Sequence, residues 1–383
     1  MNLCDDRDMA ALYIHIPFCQ SKCPYCSFVS FAGLEIDYNR YLQAVQSEIS
    51  FISEKIQKPL LRSVFFGGGT PTFLKSSQIS DLLEGCRLLF NFDASIEISV
   101  EANPGTVDEL YLDDLHRMGV NRISIGIQSL SDVELRILGR SHDRAQALRA
   151  FEQAQTAGFE NISVDLMYGV PGQTCESWKR SLETILAYYP QHLSCYQLTI
   201  EAGTVFSQWE AAGKLRTPDE NVIEKMDALT IDLCQRFGLE QYEISNFAVP
   251  GKECRHNINY WLNGDYYAVG AGAVSCIAGK RERREADPLV YCRLMENSQG
   301  VIVESEHLKN EASFRESVVM GLRMVAGVSC QDLYAHYGLS VDEYYGESLD
   351  WLKRNSLIER TPSHLRLTTR GRQVANSVMA RLV

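Results

Sequence analysis

Three cysteines lie within eight residues of the chain, Cys19, Cys23 and Cys26, spaced C-x3-C-x2-C directly behind the apolar run Ala11-Leu12-Tyr13-Ile14-His15-Ile16. The run reads as a buried first strand, which puts the thiols at its C-terminal mouth. Soft thiolates select iron-sulfur clusters, zinc or cuprous copper. Three ligands for a cluster of four irons leave one iron without a protein ligand, and an open coordination position is where a cofactor or substrate binds. Structural zinc sites offer two close ligand pairs, whereas only Cys23 and Cys26 make one here and no second C-x2-C follows. The competing readings are a zinc loop completed by the distant Cys254 or His256, and three unrelated thiols.

Further residues able to do chemistry sit where apolar runs end. Gly67-Gly68-Gly69-Thr70 follows Val64-Phe65-Phe66, and glycines there let a ligand approach the backbone closely, although a plain tight turn has the same composition. Glu101 follows Ile96 to Val100, where a carboxylate can accept from a ribose or stand solvated. Gln128 closes the run Arg122 to Ile127, and Arg140 lies beyond it. Asp165 lies inside the run Ile162 to Leu166; an ionised carboxylate there is costly unless paired, and Arg140 is its candidate partner. Late in the chain, His256-Asn257-Ile258-Asn259-Tyr260-Trp261 sets an imidazole beside two aromatic rings. Such a set can ligate haem iron and face a porphyrin, or form a hydrogen-bonded structural unit. Lys252 and Arg255 nearby are candidate partners for propionates or plain solvated charges.

The elements that must hold these residues alternate in type. After the cysteine loop, Tyr41, Leu42, Val45, Ile49, Ile52 and Ile56 recur at helical spacing, the strand Val64 to Phe66 follows, and Ile79, Leu82, Leu83, Cys86 and Leu89 mark the next helix. Strands at 96–100, 122–127, 162–166 and 193–198 alternate with helices at 144–157, 176–187 and 221–237, and one helix opens on Thr106 with Glu109 as a capping box. Six βα units imply parallel strands with right-handed crossovers, too few for a closed eight-stranded barrel. The expected fold is α/β: a partial, open (β/α)6 barrel over residues 1–237, with chemistry at the C-terminal strand ends. A small β-rich extension carrying the His256 motif is expected over 238–300, with the mixed charge run Arg281-Glu282-Arg283-Arg284-Glu285 as a solvated loop. Residues 301–383 read as helices, a hairpin at 357–368 and a closing helix at 371–382, a winged-helix-like α+β domain.

A chain of 383 residues, 45% hydrophobic, suits a large core with appendages. The net charge of -12 argues against a general nucleic-acid or anionic-membrane surface. The last 83 residues balance ten Lys and Arg against ten Asp and Glu, so the winged-helix-like part lacks the basic face of a phosphate binder. No apolar run reaches membrane-spanning length, and Asp5-Asp6 with no apolar stretch behind it does not resemble a signal peptide, so a soluble, cytoplasmic protein is expected. Twelve cysteines in so long a chain are not a disulfide framework; Cys86, Cys234 and Cys330 read as buried small hydrophobes.

The cysteine spacing, with Tyr25 before the third cysteine, resembles the signature of radical S-adenosylmethionine (radical SAM) enzymes. The resemblance implies a 4Fe-4S cluster on Cys19, Cys23 and Cys26 and S-adenosylmethionine on its open iron, with the hard chemistry left to the cofactor. Tyr13, Gly68, Gly69, Thr70, Glu101, Gln128, Arg140 and Asp165 fall where the oxygen-independent coproporphyrinogen III oxidase family contacts S-adenosylmethionine, and Tyr25 joins them as a cofactor contact. The oxidases of that family carry a further cysteine two residues beyond the third; this chain has Phe28, as does the haem-chaperone branch, the HemW-type proteins, whose HNxxYW motif His256 to Trp261 resembles. That branch implies haem as cargo with His256 as its contact and haem-accepting proteins, those of the respiratory chain among the candidates, as partners. Transient membrane-protein contact, an electron donor if S-adenosylmethionine is cleaved, and a homodimer complete the expectations. Porphyrinogen turnover and nucleic acid are not expected, and the alternative function is oxidative decarboxylation of coproporphyrinogen III by a 5'-deoxyadenosyl radical.

Overall fold

Apolar runs too long for alternating strands must be covered on a whole face, and in the computed structural model, which describes residues 9–55 and 58–383, helices cover them. The strands in chain order are β1 (Met9–Ile16), the two-residue β2 (Phe18–Cys19) and β3 (Phe31–Ala32), β4 (Leu60–Gly68), β5 (Asn91–Ala102), β6 (Arg122–Gln128), β7 (Ile162–Tyr168) and β8 (His192–Gln197). They continue with β9 (Glu240–Gln241), β10 (Asn246–Ala248), β11 (Tyr266–Val269), β12 (Val274–Ile277), β13 (Lys280–Arg284) and β14 (Ile302–His307). One twelve-stranded sheet runs β14-β13-β12-β11-β1-β4-β5-β6-β7-β8-β10-β9. Within it β1, β4, β5, β6, β7 and β8 are parallel neighbours, the six strands of the expected open barrel.

The register divides each strand into two columns. Leu12, Ile14, Val64, Phe66, Ile98, Val100, Ile123, Ile125, Val164, Leu166 and Leu193 belong to the main core with the helices Ser76–Leu89, Arg144–Thr156 and Cys175–Leu186. The other column faces inward and is mostly polar, Phe65 beside Tyr13 being apolar: Ser63 pairs with Glu97, Ser99 with Arg122, Ser163 with His192, and Asp165 with Ser194.

Several elements differ from expectation. The strands of 238–300 form no separate layer: β11 adds parallel to β1, β12 and β13 follow antiparallel, and β10 and β9 lie beyond β8 at the opposite edge. The boundary at 300/301 likewise falls short of β14, which pairs with β13. The charge run at 281–285 is mostly β13 rather than a solvated loop. Arg284 turns inward at 4% exposure because buried Glu48 accepts its Nε at 2.9 Å. The helix Glu109–Arg117 is capped by Asp108, which accepts from the Tyr111 amide, while the Thr106 hydroxyl instead meets Thr72 at 2.6 Å. The closing helix is broken into Thr369–Gln373 and Ala375–Ala380, and the short helices Asp132–Ile137 and Val205–Ala211 were not expected. Ile56 and the acidic start Asp5-Asp6 lie outside the described residues.

The C-terminal part has its own core of Phe314, Val318, Leu322, Leu333, Leu349, Leu352, Ile358, Leu365 and Leu367. Helices Asn310–Gly321, Cys330–Tyr337 and Val341–Arg354 pack with the hairpin β16 (Ile358–Arg360) and β17 (His364–Leu367), to which β15 (Val328–Ser329) adds, a winged-helix-like order. It joins the sheet edge through Ile244 N to Arg323 O at 3.1 Å and Val325 N to Tyr242 O at 3.0 Å. Among the described residues no helix is long and apolar enough to cross a membrane.

Glu48, 3% exposed, also accepts from Tyr291 OH at 2.6 Å and from the Gly270 amide at 3.0 Å. Removing the cation from a buried pair leaves an uncompensated charge. Arg284→Ala should therefore cost about 3–5 kcal/mol in denaturant unfolding. Breaking the exposed pair Arg236–Asp232 by Arg236→Ala should cost about 0.5 kcal/mol or less.

Candidate functional site

The cysteine loop is closed on itself before any ligand is considered. Phe31 N bonds Pro17 O at 2.7 Å, placing β3 beside β2, and Lys22 Nζ reaches Phe28 O at 3.2 Å and Ser30 O at 3.0 Å. Each of the three half-exposed sulfurs has a side-chain neighbour able to donate to it. Thr70 Oγ1 lies 3.6 Å from Cys19 Sγ, Arg140 Nη1 3.5 Å from Cys23 Sγ, and Ser30 Oγ 3.9 Å from Cys26 Sγ. Hydrogen bonds to thiolate sulfur favour the charged, ligating form. Among the described residues no three His, Cys, Asp or Glu side chains converge on a single point for a lone metal ion. In a multi-iron cluster each thiolate bonds a different iron, so convergence is not required, and the donor set suits such a cluster.

The strand ends around the loop carry the other expected residues. Gly69 lies so close that a Cβ there would stand 2.9 Å from Cys19 Sγ and 2.8 Å from Phe18 O. The Gly68 amide donates to Glu101 Oε2 at 3.2 Å. Burial first, then the neighbouring Asp165 charge, pushes the Glu101 carboxyl up to about 8. Gln128 ends β6 at φ +67° beside a register shift, a left-handed conformation that a side-chain-bearing residue holds only where its surroundings impose it. Asp165 accepts from Ser124 Oγ at 3.1 Å, and burial raises its carboxyl. Arg140 is not its ion-pair partner: the guanidinium spans Cys23 Sγ and Gly126 O, the latter at 2.8 Å. Tyr25 packs toward Phe206 at 6.1 Å between ring centroids and neighbours Arg140 and Cys23. Tyr13 OH meets His15 Nδ1 at 3.0 Å, and His15 Nε2 holds Val29 O at 2.8 Å, a tie from β1 to the cysteine loop that sequence reading missed.

His256 is placed differently from a free haem ligand. Its ring is 1% exposed, Nδ1 faces Ser63 Oγ at 2.9 Å and Nε2 faces Tyr260 OH at 2.9 Å, so both nitrogens are engaged. It stacks on Phe65 at 4.8 Å and lies 6.2 Å from the Tyr13 ring. Burial first, then the Arg122 charge, lowers it to about 3, which keeps it neutral. The helix Arg255–Trp261 enters the barrel with its first amides on Glu97, Arg255 N at 3.0 Å and His256 N at 3.1 Å. The Arg255 side chain donates to Ser95 O at 2.8 Å.

A cavity of about 450 Å³ opens beside the loop, lined by Tyr13, His15, Phe28, Glu101, Tyr260 and Tyr266 among others. Its far wall is the β11–β12 turn, where Gly272 packs so tightly that a Cβ would meet Val29 at 2.8 Å. Nothing local in the sequence signalled that this turn would pack against the cysteine loop.

The model for the Radical SAM superfamily matches residues 13–185, and that for the HemN C-terminal domain matches residues 308–374. The heme chaperone HemW of Bacillus subtilis is 35% identical over 371 residues, spanning 97% of this chain and 98% of that protein. The heme chaperone HemW of Escherichia coli is 40% identical over 264 residues, 69% of each chain. Among solved structures, coproporphyrinogen III oxidase (HemN) from Escherichia coli, described as a radical SAM enzyme, has a TM-score of 0.85 at 23% identity. The match covers 98% of this chain and 90% of that one, a likeness of fold.

The raised Glu101 carboxyl has a stability consequence. Between its ordinary value of 4.5 and about 8 the folded state holds a proton that the unfolded state has lost, so stability falls as pH rises through that window. Glu101→Gln should abolish that loss: denaturant midpoints of the cluster-free proteins should agree near pH 4 and favour the variant above pH 8.

Proposed function

The chain belongs to the HemW family within the radical SAM superfamily, and from that premise we propose that it holds a 4Fe-4S cluster and S-adenosylmethionine and binds haem for delivery to haem-requiring proteins. The observation that carries the reading is the set of three thiols at the mouth of β1, each with a side-chain donor, with Gly69 packed on Cys19 and a cavity lined by Gly68 and Glu101 opening beside their loop. Cys19, Cys23 and Cys26 are the residues that would bond iron, leaving one iron for S-adenosylmethionine. When bound, cluster and S-adenosylmethionine supply reductive cleavage of a sulfonium, and the protein supplies position.

This chain's residues divide that work by place. Gly68 and Gly69 give backbone approach beside the sulfurs, and Glu101, half-buried, accepts from a ligand hydroxyl or ammonium while it also holds the Gly68 amide. Arg140 and Thr70 steady the thiolates. Gln128 and Asp165 close the inner face, and Tyr13 and Tyr25 flank the loop with aromatic rings. The cargo reading is supported by the relatives named heme chaperone, which this chain matches over nearly its whole length. Phe28, 67% exposed where the resembling oxidases have a further cysteine, weighs against porphyrinogen decarboxylation. The reading also places the protein in the cytoplasm, with haem acceptors as its partners.

Anaerobic reconstitution should give about four iron and four sulfide per chain. Cys19→Ala, Cys23→Ala and Cys26→Ala should each lose the cluster absorbance, whereas Cys86→Ala, at a fully buried position, should keep it and lose only packing stability. The reconstituted protein should take up haem and leave coproporphyrinogen III unchanged. Sustained turnover with stoichiometric 5'-deoxyadenosine would reverse the assignment.

A further inference from the structure

We propose that the winged-helix-like part completes the S-adenosylmethionine cavity from outside. Glu316 on its first helix, acting through Arg281, holds the Tyr266 ring in the cavity wall, which makes Arg281 and Glu316 positioning residues for that ligand. The proposal rests on the S-adenosylmethionine reading above and adds residues to its site. Around Glu101 the cavity is lined by three tyrosine rings, Tyr13, Tyr260 and Tyr266, and by no lysine or arginine. Aromatic faces beside a carboxylate suit a ligand that carries a sulfonium and an ammonium.

The register gives Tyr266 its place in that wall. Ala11 pairs with Tyr266 and Tyr13 with Ala268, so Tyr266 continues the inner column of the barrel onto β11. The other two rings are tied by their hydroxyls within the barrel, Tyr13 to His15 at 3.0 Å and Tyr260 to His256 at 2.9 Å. The hydroxyl of Tyr266 has Arg281 as its partner instead. Tyr266 pairs with Cys276 on β12, and Cys276 with Arg281 on β13, so the three side chains stand in a row on one face of the sheet. Arg281 Nη2 in turn donates to Glu316 Oε1 at 2.7 Å. Glu316 belongs to the helix Asn310–Gly321, and the next residue, Ser317, accepts from Asn263 at 2.9 Å just ahead of β11.

The work of this chain is preorganisation rather than stability. The Arg281 and Glu316 side chains are 33% and 23% exposed, and a pair so open to water adds little to folding. A ring whose hydroxyl is already held, however, meets the ligand in place, whereas a free ring has to be ordered by the ligand itself. Tyr266 also stands edge-on to Tyr260 at 4.6 Å, so losing one ring's position loosens the other.

Binding of S-adenosylmethionine to the full, reconstituted chain, read by equilibrium dialysis beside iron content and denaturant midpoint, tests this. Arg281→Met and Tyr266→Phe should each weaken binding about fivefold, with iron content kept. The double variant should bind no more weakly than either single one, because both remove the same tether. A merely structural role would not produce that non-additivity. Arg360→Met cuts a pair with Asp342 at 2.8 Å inside the winged-helix-like part and should leave the affinity at the parent's value. A folded Arg281→Met protein with the parent's affinity overturns the proposal while leaving the S-adenosylmethionine reading intact. So does a double variant whose losses multiply, or an equal loss in Arg360→Met. If Arg281→Met fails to fold, Glu316→Gln decides, weakened binding supporting the proposal and unchanged binding overturning it. A parent that binds no S-adenosylmethionine overturns both.

Discussion

One buried carboxylate holds together the two walls of the cavity. Glu48 sits on the first long helix, Tyr38–Lys55, and its oxygens accept from Arg284 on β13, Tyr291 on the helix Pro288–Glu296 and the Gly270 amide at the end of β11. Tyr41, two turns earlier on the same helix, donates to His15 O and accepts from Ala271 N. A single helix thus pins the strand that ends at the cysteines and the turn that packs on their loop at Val29. Because the carboxylate is sealed from water, each missing donor would leave charge unscreened, and the turn has no cheap alternative position.

A second carboxylate governs the other end of the barrel. Glu97 receives the first amides of the helix that carries His256, beside the fully buried Arg122, and the helix then stacks its imidazole under Phe65 and Tyr13. Trp261 at the end of that helix lies under Arg323, 4.4 Å from its ring centroid, and Asn263 bonds Ser317 at 2.9 Å. The winged-helix-like part therefore touches the same seven-residue helix that supports the inner face of the sheet. Substitutions in one part can be felt in the other through packed rings and not through flexible linkage.

What the sequence made legible followed from local rules. The cysteine spacing, the glycine turn at 67–69 and the alternation of long apolar runs with helical periodicity depend on near neighbours, and the barrel strands came from them. The partnership of β11 with β1 did not, because Ala11 and Tyr266 meet across most of the chain and no local period encodes that pairing. Arg284 misled for a related reason: within a charge run its type says solvent, and only Glu48, remote in sequence, makes burial affordable. The HNxxYW segment was legible as a motif but not as a position. Its imidazole is closed in by Ser63 and Tyr260, and a spacing pattern carries no information about which side chain will face the cavity.

The place of β1 in the middle of the sheet bears on how the protein is made. Its neighbours are β4, synthesised soon afterwards, and β11, synthesised only after two-thirds of the chain has emerged. During translation the strand leading to the cysteines therefore waits with one edge unpaired, and loop closure over so long a separation is slow. The cysteine loop is made long before the turn at 270–273 that packs against its Val29. Synthesis of the cysteine loop and completion of the sheet around it are thus two clocks, and the fold sets the second to run late.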